Sequence, residues 1–414
     1  MTPAQLNQIL ADHHPAARAL LSPLGERAAL PLGIPQQSAQ AKDCQRKATI
    51  GEITDGSGNP LVLPSLAQHY AGLDGRRAFR YAPQHGQPEL RNLWRRRAIE
   101  DGAVASLPVV TTGISHAISL VAELFTGPDR PLILGTPYWD NYDNLFTLRT
   151  GAPVRSFSTH GPDGFFNLEG LKEVLATLEG PATIILNFPT NPSGYSLRTV
   201  EVEPLLQLLC AHPHPLCVLL DDAYAGLHYE ADVYRRSLYG ELARRADPKK
   251  LLICKADGAT KELVFFGGRI GFLTFSADGP AGAALEEKAA ALIRATISSV
   301  CAASQELVLE ALKSPSLSAE VEKVRRILEG RYQALKAALI AEKLPFAPFN
   351  SGCFAMLYVQ EDCEHLRQRL IHEQSVGVIA VPQANALRIA FCSMEEEDIP
   401  DLVQRIGRVL RPGG

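Results

Sequence analysis

Between residues 105 and 275 the chain alternates short apolar, β-branched runs with segments whose apolar residues return every three or four positions. "LPVVTT" is followed by "SHAISLVAELF", then by "PLILG" and "APVRSF"; "ATIILN" is followed by "EVEPLLQLLC", and "LCVLLD", "LLICK" and "GFLTF" close the series. Continuous apolar runs of strand length predict strands covered on both faces, and their alternation with helical periods predicts a mostly parallel sheet wrapped by helices. Ligands of such sheets bind at the carboxyl ends of the strands. From about residue 284 the period is helical, through "GAALEEKAAALIRATISS" and "SAEVEKVRRILEGRYQALKAALIAE". "GCFAMLYV", "VGVIAVP" and "ALRIAFC" then predict a small sheet, closed by a final helix. The opening "MTPAQLNQILADHHPAARAL" reads as one short amphipathic helix. The expected fold is α/β. A large domain over residues 50–320 carries the mostly parallel sheet, and both termini, 1–49 and 321–414, build a smaller α+β domain, the long helix joining the two.

Composition narrows the functional classes. A chain of 414 residues is long enough for two hydrophobic cores. A net charge of −4 with 21% charged residues gives no basic excess, which argues against a nucleic-acid partner. The apolar runs stop well short of the ~20 residues a membrane helix needs, and the N-terminus lacks a secretory pattern, so a soluble cytoplasmic protein is expected. Eight cysteines without a CxxC pair suit reduced, mostly buried thiols. His212 and His214 in "AHPHP" have no Cys or carboxylate cluster beside them, and the prolines mark a turn, so no metal site is expected.

The polar residues at the strand ends carry the chemistry. In "TTGISHA", Gly113 turns into a helix opened by Ile114 and Ser115, whose free N–H groups can hold a phosphate. "TPYWDNY" offers Trp139 to a flat heteroaromatic ring. "NFPTNPSGY" places Asn191 in a turn, and "LLDDAYAG" ends a very apolar strand with Asp221 and, three residues on, Tyr224. A carboxylate there needs a cationic partner. Lys261 follows in "DGATKELVFFGGRIGF", with Arg269 eight positions later. A phosphate pocket, an aromatic lid and a buried carboxylate and phenol beside a lysine meet the demands of pyridoxal 5′-phosphate.

In this order and spacing the set resembles the fold type I pyridoxal-phosphate-dependent aminotransferases, the aspartate aminotransferase-like class I/II group, over about residues 75 to 395. The resemblance implies that Lys261 forms the Schiff base and shuttles the substrate proton, which requires a lowered pKa. It assigns Asp221 to the pyridine nitrogen and Asn191 and Tyr224 to the ring hydroxyl. Trp139 would stack on the ring, and Arg269 with Gly113, Ile114 and Ser115 would hold the phosphate. Arg388 in "ALRIAF" corresponds to the arginine that grips the substrate α-carboxylate. Tyr81 stands where the family sends a tyrosine to the neighbouring subunit's cofactor, implying a homodimer with a shared active site. Arg294 corresponds to the arginine that aspartate aminotransferases present across the dimer to a distal carboxylate, so glutamate or aspartate is a plausible partner substrate.

The sequence departs from the group in places. Gly258 stands three residues before Lys261, where Ser or Thr is usual, leaving Thr260 as a substitute phosphate donor. Lys255, read as the end of the strand "LLICK", is a rival lysine with the wrong separation from Arg269. The stretch between "VIAVP" and "ALRIAF" is short, which predicts a more open substrate entrance. Either the Gly33 or the Gly51 segment closes over the substrate. The implied activity is ping-pong transfer between amino acids and 2-oxo acids. A lyase, decarboxylase or synthase on the same cofactor is the alternative, and a non-catalytic sensor lacks room for a DNA-binding domain ahead of Gly51.

Overall fold

The computed structural model describes residues 1–29, 33–55 and 58–411. Among these the strands are β1 (Arg46–Lys47), β2 (Val109–Thr111), β3 (Leu132–Thr136), β4 (Val154–Ser158), β5 (Ala182–Leu186) and β6 (Leu216–Asp221). They continue with β7 (Leu251–Gly258), β8 (Gly271–Phe275), β9 (Phe354–Tyr358), β10 (Val376–Gly377), β11 (Ile379–Val381) and β12 (Ala386–Ala390). Seven form one sheet in the order β2-β8-β7-β6-β5-β3-β4. All its neighbours run parallel except at β8, which is antiparallel to both β7 and β2. The mixed α/β architecture expected from the apolar pattern is therefore present.

Every residue of β5 and of β6 is buried, which is why these strands read as continuous apolar runs. Alternate side chains face opposite layers. Leu219 and Cys254 join a core with the helix Ile114–Phe125, whereas Val218, Leu220 and Ile253 join a second core with the helix Thr199–Ala211. The five parallel strands β3–β7 end at one edge. Because β8 runs the other way, its amino end lies at that same edge and brings Arg269, two residues ahead of it, to the carboxyl ends of the others.

A second, antiparallel sheet has the order β11-β12-β9, and Arg388 on β12 lies between Ile379 and Met356. The helix Cys363–Gln374 packs on β11 and β12, and the last helix Ile399–Leu410 packs on that helix and on the long helix Leu317–Ala341. The N-terminal segment is bound to this part of the chain: β1 pairs in parallel with β10, and the Ala390 amide donates to the Ala48 carbonyl at 2.9 Å.

Three local expectations are corrected. The opening helix is two, Pro3–His13 and Pro15–Leu20, because Pro15 cannot donate the bond that would carry a helix through His14. "VGVIAVP" is split at Val378: Val376–Gly377 pairs with β1, and Ile379–Val381 with β12. The strand "LLICK" continues to Gly258, so Lys255 lies inside β7 and not at its end.

The "NPSG" turn joins the two sheets. The Gly194 carbonyl accepts from the amides of Asn350 and Ser351, at 3.1 and 2.9 Å. Gly194 has φ +78°, and a Cβ there would stand 2.0 Å from the Phe354 carbonyl oxygen. Both the left-handed backbone and the contact exclude a side chain. Gly194→Ala is expected to cost about 3 kcal/mol or more, read as a lower urea midpoint; an unchanged midpoint refutes this account of the junction.

Candidate active site

At the carboxyl edge of the seven-stranded sheet a cavity of about 340 Å³ is lined by Ser115, Trp139, Asn191, Asp221, Tyr224, Lys261, Arg269 and Arg388, among others. That volume is within the range of small-ligand and cofactor sites.

Asp221 is the last residue of β6 and is buried. Its Oδ2 accepts from the Tyr142 hydroxyl at 2.6 Å and its Oδ1 from the Ala223 amide at 3.2 Å. Burial pushes its carboxyl up to about 6, although Tyr142 and Lys261 both favour the ionised form. Lys261 sits in the short helix Ala259–Glu262 that follows β7. Its Nζ lies 5.3 Å from the centre of the Tyr224 ring. Burial holds the amine below the ordinary lysine range, with Asp221 opposing and Arg269 adding to the shift. Desolvation thus moves the two groups toward one another: the acid holds its proton to higher pH and the amine releases its own at lower pH.

The opposite wall is built for an anion. Gly113, at φ +77°, starts the twelve-residue helix Ile114–Phe125. A Cβ on Gly113 would be 2.4 Å from the Arg269 guanidinium, so the arginine lies directly on the helix N-terminus. Free N–H groups, the helix dipole and a planar cation converge there. The Thr260 hydroxyl, on the same cavity, is buried with no hydrogen-bond partner. These are the donors a phosphate group requires, so the cradle fits one.

Arg388 is buried on the third side. It donates to the Asn191 side-chain oxygen at 2.9 Å and to the Thr49 carbonyl at 2.7 Å, and its guanidinium stacks 4.3 Å from the centre of the Phe354 ring. Its Nε is buried without a partner, and no ion pair to Arg388 occurs among the described residues.

The structure gathers Lys261, Asp221, Tyr224, Asn191, Trp139, Ile114, Ser115, Arg269 and Arg388 around one cavity. Gly113 does not line it but lies against the Arg269 guanidinium, and two further expected residues stay away from it within the subunit. Tyr81 is 91% exposed, and Arg294 is exposed on the helix Gly279–Thr296, donating to the Ser298 hydroxyl at 2.6 Å. Of the two N-terminal segments, Ile34 and the run Ile50–Glu52 both reach the cavity wall, and Gly51 lines it where Gly33 does not.

Sequence reasoning missed several residues. Tyr142 lies one helical turn beyond Trp139, a spacing that could have signalled its shared direction. The Asn187 side chain donates to the Asp221 carbonyl at 2.8 Å and accepts from the Asn191 amide at 2.9 Å. Lys255 has a different environment from Lys261: its Nζ is 3.1 Å from Asp222 and bonded to Asp257, which also accepts from the Trp94 indole at 2.9 Å. The Asp257 and Asp222 carboxylates hold that ammonium charged against the cost of burial. A permanently charged lysine is a poor base and a poor nucleophile.

An anion cradle, a lysine of depressed pKa and a carboxylate at the far end of the same cavity, on such a sheet, define a pyridoxal-phosphate enzyme of fold type I. The chain belongs to the aminotransferase class I and II family, whose profile matches residues 47–406. The aspartate aminotransferase of Rhizobium meliloti is 29% identical over 196 residues, 47% of this chain and 46% of that protein. The probable aspartate/prephenate aminotransferase of Rickettsia bellii is 32% identical over 209 residues, 49% of this chain and 48% of that protein. The chain thus matches about half the length of these curated relatives. A crystal structure of an aminotransferase from Anaerococcus prevotii has the same fold, with a TM-score of 0.84 at 21% identity over 95% of this chain and 100% of that one. Among the described residues there is no group of side chains that could hold a metal ion and no helix long and apolar enough to cross a membrane.

The raised carboxyl of Asp221 has a thermodynamic consequence. Between the ordinary Asp value and about 6 the folded chain keeps a proton that the unfolded chain has lost, so stability falls as pH rises through that window. For the cofactor-free chain, Asp221→Asn is expected to flatten the decline, worth about 3 kcal/mol at one pKa unit per ~1.4 kcal/mol. Urea midpoints at pH 4 and pH 7 measure it; an equal decline in the variant assigns the effect elsewhere.

Proposed function

We propose that the chain is a pyridoxal-phosphate-dependent amino acid:2-oxo acid aminotransferase working by ping-pong half-reactions. The observation that carries this reading is the single chamber in which Lys261, Asp221 and the Arg269 cradle face a buried Arg388. When bound, pyridoxal phosphate supplies an electron sink for negative charge on the substrate α-carbon.

In this reading Arg269, Ser115, Thr260 and the amides opening the helix Ile114–Phe125 hold the phosphate. Lys261 would anchor the cofactor, and its amine, held below the ordinary lysine range by burial, would take the proton from the substrate α-carbon. Asp221, oriented by Tyr142, holds a proton on the pyridine nitrogen. Asn191 and Tyr224 direct donors at the ring hydroxyl, and Trp139 covers the ring. Arg388 takes the α-carboxylate with its remaining donors, which orients the α-carbon toward Lys261.

Residues 50–320 serve here as the cofactor-binding domain, and residues 1–49 with 321–414 as the smaller domain that delivers Arg388. A homodimer with a shared site is part of the proposal: Tyr70, Phe79 and Tyr81 form an exposed aromatic stretch suited to a partner surface. In such a dimer Tyr81 would reach the partner's phosphate cradle and Arg294 the partner's substrate entrance, with glutamate or aspartate as one substrate. The free thiols, six of the eight buried, suit a reducing cytoplasm.

An absorbance titration tests the reading. The cofactor-loaded protein should show a visible band that an amino acid bleaches and a 2-oxo acid restores. Lys261→Ala should lose the band while keeping its circular dichroism. Bleaching with no recovery by any 2-oxo acid would favour elimination or decarboxylation, and a band retained in the variant would move the anchoring role to Lys255.

A further inference from the structure

Beside the catalytic cavity lies a second chamber of about 240 Å³, sharing Ile34, Trp139, Asn191 and Arg388 with it. It lies between the helix Ile34–Gln40 and β11 with the tight turn Pro382–Ala384 that follows. That turn is the short connection between "VIAVP" and "ALRIAF", and the brevity of the connection leaves the chamber open. Its walls are mostly apolar, with Tyr138, Ile379, Val381 and Pro382 facing the shared Ile34 and Trp139. The polar groups at its margin are largely committed. Gln37 donates to and accepts from the Ala380 backbone, at 3.3 and 2.7 Å, and Gln383 accepts from the Tyr138 amide at 2.9 Å.

Charge around the joined chambers is arranged against a second carboxylate. Arg388 is the cation both share. The remaining cations on the walls, Lys261 and Arg269, belong to the cofactor end. Glu52 lines the first chamber with no hydrogen-bond or ion-pair partner among the described residues, and Asp140 lines the second. A distal carboxylate of the substrate would therefore meet like charge in either direction within this subunit. An apolar group has a ready place: a dry cavity of about 150 Å³ already accepts benzene, and this one is larger.

Building on the aminotransferase reading, we propose that this second chamber is a side-chain subsite for amino acids and 2-oxo acids with bulky apolar, above all aromatic, side chains, held by their carboxylate on Arg388. The occupant is set by continuity: Arg388, buried and with a free donor, lines both the polar chamber and the apolar one. The Trp139 and Tyr138 rings give the aromatic group edges and faces to pack on.

The test uses carboxylates that lack an amino group and cannot react: 3-phenylpropanoate and propanoate, titrated calorimetrically into the cofactor-loaded protein. The phenyl compound is expected to bind at least about 10-fold more tightly than propanoate, which offers Arg388 the same carboxylate without the ring. Ala380→Phe, which fills the chamber from β11, should bring 3-phenylpropanoate to within about 2-fold of propanoate. Propanoate binding as tightly as the phenyl compound in the unaltered chain overturns the proposal, whether or not the variant folds. So does an unchanged preference in a folded variant. Failure of the cofactor reading is distinguishable, because it appears as absence of the visible band, while the carboxylate ranking can still be measured on the chain alone.

Discussion

The site depends on a buried guanidinium that forms no ion pair with a carboxylate among the described residues. Arg388 holds together three stretches remote in sequence: the strand β12 it comes from, the Asn-Pro turn after β5 through Asn191, and the N-terminal segment through the Thr49 carbonyl. Carbonyl and amide oxygens satisfy some of its donors, and the Phe354 face covers its plane. Asp140 offsets its charge only from a distance, and burial lowers its pKa. Removing a cation from water is costly unless an anion arrives, so the chain keeps a standing attraction for a carboxylate at one place. Everything else in the cavity is positioned relative to that point.

A second electrostatic contrast separates two lysines six residues apart on the same strand-and-turn. Lys255 is clamped by Asp222 and Asp257 and stays charged; Lys261 faces an Asp221 that burial has made reluctant to ionise, and is itself pushed toward neutrality. The difference comes from carboxylate contact and exposure: two carboxylates hold the buried Lys255, while Lys261 is half-buried on the cavity wall. One lysine is a structural cation and the other is available for proton transfer.

Much of this was legible in the chain, for reasons that differ by element. The strands β5 and β6 are buried on both faces, so their sequences carry an uninterrupted signal, and Asn187 after β5 and Asp221 at the end of β6 are polar where the pattern stops. Gly113 and Arg269 were found through motif spacing, and their direct contact follows from the reversal of β8, which no local pattern announces. The reach of Lys255's strand to Gly258 was missed because Asp257 and Gly258 are poor strand formers, held there by pairing with β8. Tyr142, Glu52 and the second chamber were missed because they depend on how distant segments meet. Tyr81 and Arg294 lie apart from the cavity of their own subunit, where the resemblance alone had singled them out.

The tie between Arg388 and Thr49 spans 339 positions, and β1 finds its partner β10 only near the other end of the chain. Closing so long a loop comes late in folding, and a polypeptide made from its N-terminus must keep residues 46–54 waiting until the C-terminal sheet emerges. The sheet that carries Lys261, Asp221 and Arg269 is complete in sequence by Phe275, well before that. During synthesis the strand ends that carry Lys261, Asp221 and Arg269 can therefore assemble first, and the buried Arg388 joins them only with a much later segment of the chain.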